Sequence, residues 1–237
     1  MNKSSETNSN HCTKQWLAGI VLFWFFFALF SSVLGLFDSN SRPPIALGGA
    51  VLLPIIAFVA SYFAWSGFRT LVLRANLKLL TLAQTFRVAG IVFIILFYQR
   101  LLPGTFALSA GWGDIAVGAT APLVAWVISS RTVLPKKTFV FWSVLGMLDL
   151  VAAVTLGILS SASPLGILAG EVTTELMGRF PLSLIPAFFV PLFLILHLVS
   201  LIRVARGSSE SGSQDRLKSG PQTGTFLNSQ PSTANQT

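Results

Sequence analysis

Six long apolar runs, almost free of charge, constrain this chain more than any other feature. A helix of about 20 apolar residues is long enough to cross the roughly 30 Å hydrocarbon core of a membrane. The sequence therefore predicts an all-α fold, a polytopic transmembrane helix bundle of six spans. The runs are Trp16–Phe37, Pro44–Ser66, Leu79–Gln99, Leu108–Ile128, Thr138–Ser160 and Leu182–Val204.

Composition excludes most alternatives to a membrane protein. Hydrophobic residues make up 53% of the chain and charged residues only 10%, whereas about 25% of a typical soluble domain is charged. A disordered protein would be far less hydrophobic, and a disulfide scaffold would need more than the single Cys12. We expect a six-helix membrane domain over residues 15–206. The segments 1–14 and 207–237 are polar, and we expect both to be disordered and cytoplasmic.

The distribution of Lys and Arg predicts the orientation of the bundle. Twelve basic residues fall in the termini and alternate loops on one side of the predicted membrane, and three fall in the loops on the other side. Because cytoplasmic loops are enriched in Lys and Arg, we expect both termini in the cytoplasm and the chain in the cell (inner) membrane. The net charge of +8 does not indicate nucleic-acid binding, because the basic residues form no continuous stripe.

Two loops carry apolar residues at helical spacing. The first is Gly67–Lys78, and the second lies between Pro164 and Pro181. Amphipathic segments of this kind can lie in the membrane interface with their apolar face toward the lipid. We expect each loop to form such a helix.

Four ionisable residues lie inside the predicted spans, namely Arg87, Asp114, Asp149 and His197. A charged residue at the centre of a membrane helix costs about 2.5–3.5 kcal/mol on insertion scales, so each needs a partner or a function. Arg87 and Asp149 lie within about 3 Å of the same depth, given a rise of about 1.5 Å per residue. The sequence therefore predicts an intramembrane ion pair between Arg87 and Asp149.

Candidate relay residues lie on both sides of this predicted pair. Asp114 is expected about 6 Å closer to the outer surface, and His197 about 6 Å closer to the cytoplasm. Gln84 and Tyr98 share the helical face of Arg87 and complete the set. The face of Asp114 consists of small residues, which predicts a helix contact and not a lipid contact. These residues are Ala110, Gly118, Ala121 and Ala125.

A short local similarity connects the two aspartates. The segment Gly111-Trp-Gly-Asp114-Ile and the segment Gly146-Met-Leu-Asp149-Leu share the pattern G-x-x-D, followed by a branched aliphatic residue. They lie in predicted spans of opposite direction, and inverted repeats build the binding sites of many transporters. Chance is the favoured explanation of two identities in five residues, so the similarity is only a pointer toward a transporter repeat.

Motifs for enzymatic chemistry are missing from the sequence. It holds no H-E-x-x-H, no pair of cysteines and no phosphate-binding glycine loop. We therefore expect no catalytic residues, no metal and no cofactor. The expected partners are the lipid bilayer and either another membrane protein or a second copy of the chain.

Three functional hypotheses remain open. The favoured one is a non-catalytic membrane component, such as an accessory subunit or a structural or sensor protein, because structural ion pairs and small-residue contacts account for the whole pattern. The second is a small-solute or proton-coupled transporter that uses Arg87, Asp149, Asp114 and His197. The third is an intramembrane enzyme that acts on lipid or carries out redox chemistry.

Overall fold

The described part of the chain is helical and holds no β-strand. The computed structural model describes residues 3–38, 44–130 and 136–218. A 3-10 segment, Gln84–Gly90, joins α4 to α5, and a π-helical segment, Ile185–Phe189, precedes α8. The α-helices are α1 (Lys3–Val33), α2 (Ile45–Ala64), α3 (Ser66–Arg74), α4 (Leu77–Ala83), α5 (Ile91–Tyr98), α6 (Gly104–Ser129), α7 (Lys136–Leu159) and α8 (Val190–Lys218).

Five helical stretches of the described residues are long and apolar enough to cross a membrane. They correspond to the last five predicted runs, so a helical membrane protein is supported. They are Ile45–Ala64, Leu77–Tyr98, Gly104–Ser129, Lys136–Leu159 and Ile185–Arg206.

The predicted first span is not confirmed. Its apolar helical part is the shorter stretch Ala18–Val33, whereas the sequence predicted a run that continues to Phe37. α1 ends at Val33 because Gly35 adopts a φ of 71°, a conformation that favours glycine at the end of a helix. Six spans and cytoplasmic termini therefore stay predictions.

The chain divides into two compact units, residues 1–204 and residues 205–237. The packing described below belongs to the first unit. In the second unit, residues 205–218 are helical. The predicted disorder of segments 1–14 and 207–237 stays a prediction, and residues 219–237 lie outside the described part of the chain.

A cluster of apolar side chains holds the helices together at each end of the bundle. At one end, buried Phe58 and Tyr62 of α2 pack with Val72 of α3 and Val199 of α8. We call this the basic end, because Arg69 and Arg74 of α3 and Arg203 of α8 lie on the elements that meet there. At the opposite end, Leu102, Phe106 and Met177 belong to another buried cluster. Many large apolar side chains between the ends are exposed, as expected for a surface in contact with lipid.

One of the two predicted amphipathic loops is helical and the other is not. Helix α3, Ser66–Arg74, covers most of the first loop, up to Arg74. The second loop contains turns and a single 3-10 turn, Glu175–Gly178, so the prediction of a helix there was wrong. The loop instead bonds back to the end of α7, since the Thr174 hydroxyl donates to the Gly157 carbonyl at 2.5 Å. Gly166 is essential to this path, because a Cβ there would lie 1.7 Å from the Ser161 carbonyl oxygen.

Candidate functional site

The polar site is built around Arg87, in the middle of the Leu77–Tyr98 span. The arginine lies in the 3-10 segment, where residues three apart eclipse one another. Gln84, Arg87 and Gly90 therefore share one face, and all three are buried. The side chain of Arg87 is 0% exposed, so its charge must be balanced inside the bundle.

Arg87 binds both intramembrane aspartates. Its Nε lies 2.7 Å from Oδ1 of Asp114 on α6, and its Nη2 bonds Oδ2 of Asp149 on α7. Its Nη1 donates to the Gly146 carbonyl at 3.0 Å. The structure thus brings the predicted pair together and adds Asp114 to it. Asp114 had been expected as a separate outer relay, but it lies in direct contact with Arg87. We call Arg87, Asp114 and Asp149 the triad.

The triad has more negative than positive charge. Two carboxylates face one guanidinium, and their side chains are only 15% and 17% exposed. An uncompensated charge away from water is costly. One further positive charge, a proton or a bound cation, would make the triad neutral.

Glycines make room for both carboxylates. A Cβ on Gly113 would lie 1.6 Å from Oδ1 of Asp149, and a Cβ on Gly90 would lie 2.4 Å from Cβ of Asp114. α6 can therefore approach α7 and the 3-10 segment closely only because these positions have no side chain. Residue composition alone did not indicate the role of Gly113, because its contact depends on the position of Asp149.

We expect Gly113→Ala to separate Asp149 from Arg87. The new methyl group would occupy the position of the carboxylate, and we expect a destabilisation of about 1–3 kcal/mol, as for other overpacked sites. The measurement is the midpoint of thermal unfolding in detergent. Gly19→Ala is the matched control, because apart from its chain neighbours and the backbone of its own helix no atom lies within 4 Å of a Cβ at that position.

A double-mutant cycle identifies the cause of this effect. In an Asp149→Ala background the carboxylate is gone, so Gly113→Ala should cost much less than in the wild type. Equal costs in both backgrounds would show that the methyl group acts elsewhere.

Buried polar atoms without a hydrogen-bond partner lie next to the triad. Within the described residues these atoms are Gln84 Oε1, Thr85 Oγ1, Ser143 Oγ and His197 Nε2. Gln84 and Thr85 precede Arg87 in the 3-10 segment, and Ser143 is one turn before Gly146 on α7. The unpaired groups therefore concentrate around one place in the bundle, where a water molecule would find several polar partners.

His197 and Arg87 face the same gap beside α7. A Cβ on Gly146 would lie 2.5 Å from His197 Nε2 and 3.3 Å from Arg87 Nη1. The imidazole is 1% exposed, and its ring contacts Trp142 with the centroids 5.4 Å apart. Gln84 binds the same helix, since its Nε2 donates to the Phe193 carbonyl at 3.2 Å. Gln84 and His197 are thus brought to the site.

Tyr98 is not brought to the site. Its side chain is 77% exposed, and its ring contacts neighbouring Phe97. The helical-face argument failed here because it assumed a regular α-helix. The 3-10 segment turns about 120° per residue and not about 100°, so residues after Gly90 no longer keep the predicted register with Arg87.

An apolar cavity of about 100 Å³ reaches the triad from the end opposite the basic end. Asp114 lines its inner part, and Ser161, Thr174 and Glu175 line its outer part. Leu150 and Ile158 of α7 line it at levels about 12 Å apart, at 1.5 Å per residue. The described residues include no group of three or more His, Cys, Asp or Glu side chains that could hold a metal ion.

Both copies of the G-x-x-D pattern converge on Arg87. Asp114 binds its Nε, while Gly146 and Asp149 bind its other two nitrogens. Gly111 has a different role, because a Cβ there would lie 2.7 Å from the Ile94 side chain. The two segments therefore meet at one cation but do not make equivalent contacts.

Comparison with known proteins gives a family without a described activity. No curated protein and no solved structure matches the chain. A family model described as "Domain of unknown function (DUF8737)" matches residues 44–205, which include every residue of the site. Since this match covers more than half of the 237 residues, the chain belongs to the DUF8737 family.

Proposed function

We propose that this membrane protein is a proton-linked transporter in which the triad binds and releases a proton. The surplus carboxylate at a buried position carries the proposal, because one proton makes the triad neutral. Intramembrane ionisable residues commonly mark ion and proton pathways. With the termini in the cytoplasm of an inner-membrane protein, the cavity would face outward and His197 inward.

The outer half of the proposed pathway is the cavity. Its rim includes the polar side chains Thr174 and Glu175, and its inner part includes Asp114. Both carboxylates bind the same guanidinium, so a water molecule that bonds to both would carry a proton from Asp114 to Asp149. Arg87 holds the two acids together and does not need to lose its own proton.

The inner half of the pathway is the set of unpaired polar groups. Gln84 Oε1, Ser143 Oγ and His197 Nε2 can each bond to a water molecule. A chain of such waters would connect the triad to the basic end of the bundle. His197 is the one member of this set that can itself accept and release a proton.

A structural role is the second candidate function. Arg87 joins the 3-10 segment to α6 and to α7 through three hydrogen bonds. The same contacts would fix the packing of an accessory, structural or sensor component that transports nothing. The two candidates differ in one result, which is proton flux through the isolated protein.

The test is proton flux in reconstituted liposomes. Vesicles with an internal pH dye receive an imposed membrane potential, and wild type is compared with Asp149→Asn. We expect flux in the wild type and the rate of empty vesicles in the variant, because the amide cannot bind the proton. Asp38→Asn is the matched control. Asp38 is not part of the triad and pairs with Arg179, whose Nε lies 3.3 Å from Oδ2 of Asp38, so flux should persist.

Folding is checked by the elution profile of each protein in detergent. Wild-type flux equal to that of empty vesicles would overturn the transporter proposal and favour the structural role. Flux that persists in folded Asp149→Asn would remove Asp149 from the pathway.

A further inference from the structure

The chemistry of the cavity walls indicates what the cavity can hold. Apolar side chains from several helices form most of its surface, which suits a hydrocarbon body. They include Val51 of α2, Phe93 of α5, Phe106 of α6, Leu150 of α7 and Ile185 of the π-helical segment. A hydrated inorganic cation would find too few oxygen ligands there to replace its water shell.

The charge of the lining is negative. The described side chains that line the cavity include two carboxylates, Asp114 and Glu175, and no Lys, Arg or His. Arg87 lies behind Asp114 and is itself fully buried. An anion would therefore meet carboxylates and no cationic side chain among these lining residues, whereas a cation would complete the charge balance of the triad.

Aromatic residues favour one kind of cation. Phe37, Phe93 and Phe106 line the cavity, and the rings of Phe93 and Phe106 lie 5.4 Å apart in an edge-to-face arrangement. Alkyl-substituted ammonium ions bind to aromatic side chains and carry their charge inside an apolar shell. A volume of about 100 Å³ limits such an ion to a few carbon atoms.

We propose that the cavity binds a small alkylammonium ion with Asp114 as its counter-charge. This names the substrate class and, for the transport step, rests on the proposed function. The ion and the proton neutralise the same surplus charge, so the triad holds one or the other. When the ammonium ion enters, the proton leaves the carboxylate to water, and the net charge of the triad with its ligand stays the same. With the ion present, this exchange gives antiport of an alkylammonium ion against a proton. Without the ion, the protonated triad alternates with the empty triad, and protons alone follow the membrane potential.

Binding is tested on the purified full chain with tetramethylammonium chloride. This probe is permanently charged, so it cannot carry a proton across the membrane by itself. We expect saturable heat in titration calorimetry, and a rise of about 3–6 °C in the unfolding midpoint at tenfold the dissociation constant. Sodium chloride at equal ionic strength should give neither signal. Tert-butanol, a neutral molecule of similar shape, should bind at least about tenfold more weakly.

Two variants connect binding to the cavity. Asp114→Asn removes the counter-charge and should weaken binding at least about tenfold. Ala153→Leu adds bulk to the wall and keeps every charge of the triad, and should abolish binding even if Asp114→Asn does not fold. Equal binding of tert-butanol, or wild-type affinity in folded Ala153→Leu, would overturn the proposal.

The exchange step has its own readout. Labelled tetramethylammonium should accumulate in vesicles whose interior is more acidic than the medium, and the internal pH should rise as it enters. Absence of binding together with Asp149-dependent proton flux would overturn the ligand assignment alone. Binding without any proton flux would overturn the proposed function alone.

Discussion

Replacing Arg87 with Met is expected to destabilise the protein by about 3–5 kcal/mol, the usual cost of leaving buried charges unpaired. The substitution keeps a long side chain but removes the cation that faces Asp114 and Asp149. The measurement is SDS-titrated unfolding in mixed micelles, followed by tryptophan fluorescence. Arg179→Met is the matched control. Arg179 pairs with Asp38 while its side chain is 58% exposed, so its loss should cost no more than about 1 kcal/mol.

A neutral triad should restore folding without restoring function. In the triple variant Arg87→Met, Asp114→Asn and Asp149→Asn, no charge is left to be compensated, and we expect most of the lost stability to return. Proton flux should still be absent, because the acids are gone. A triple variant as unstable as Arg87→Met would show that the arginine acts through its shape and hydrogen bonds and not through its charge.

Replacing Gly118 with Ala should separate α6 from the 3-10 segment. A Cβ at this position would lie 2.6 Å from the backbone nitrogen of Val88, and a backbone atom cannot rotate away as a side chain can. We expect a loss of about 1–3 kcal/mol, as for other overpacked contacts. The unfolding midpoint in detergent gives the measurement.

Gly49→Ala separates this contact from the general effect of adding a methyl group to a glycine. Gly49 lies in the apolar helix α2, and apart from its chain neighbours and the backbone of α2 no atom lies within 4 Å of the added Cβ. The change should be neutral or raise stability by up to about 1 kcal/mol, because Ala favours a helix over Gly. Similar effects of the two substitutions would exclude close approach at Gly118 as the cause.

The sequence was sufficient for the features that depend on local pattern. Apolar runs predicted five of the long helices, because length and hydropathy are properties of each segment. The small-residue face of α6 was also visible, and Ala110, Gly118, Ala121 and Ala125 are buried. Equal depth was enough to place Arg87 beside Asp149, because spans of similar length that cross the same membrane align their centres.

Features that depend on helix irregularity could not be predicted from the sequence. The 3-10 segment changes the direction of the Arg87 side chain relative to the rest of the span. Asp114 therefore contacts Arg87 directly, and Tyr98 does not contact it. The loop between Pro164 and Pro181 has helical spacing, but its backbone bonds close short turns and not a continuous helix. The backbone N–H groups of Leu168 and Thr174 donate instead to carbonyls at the end of α7. In both places, contacts with a neighbouring helix outweigh the local preference.

The 3-10 segment also sets the length of the span. A 3-10 helix rises about 2.0 Å per residue and an α-helix about 1.5 Å, so rewinding Gln84–Gly90 would shorten this span by about 3.5 Å. The same change would rotate α4 against α5 by about 140°, since the two helix types turn by about 120° and 100° per residue. Because Arg87 lies at the centre of this segment, its bonds to α6 and α7 oppose both movements. Neutralising the triad would therefore weaken the bonds that oppose a combined rotation and shift of α4 against α5.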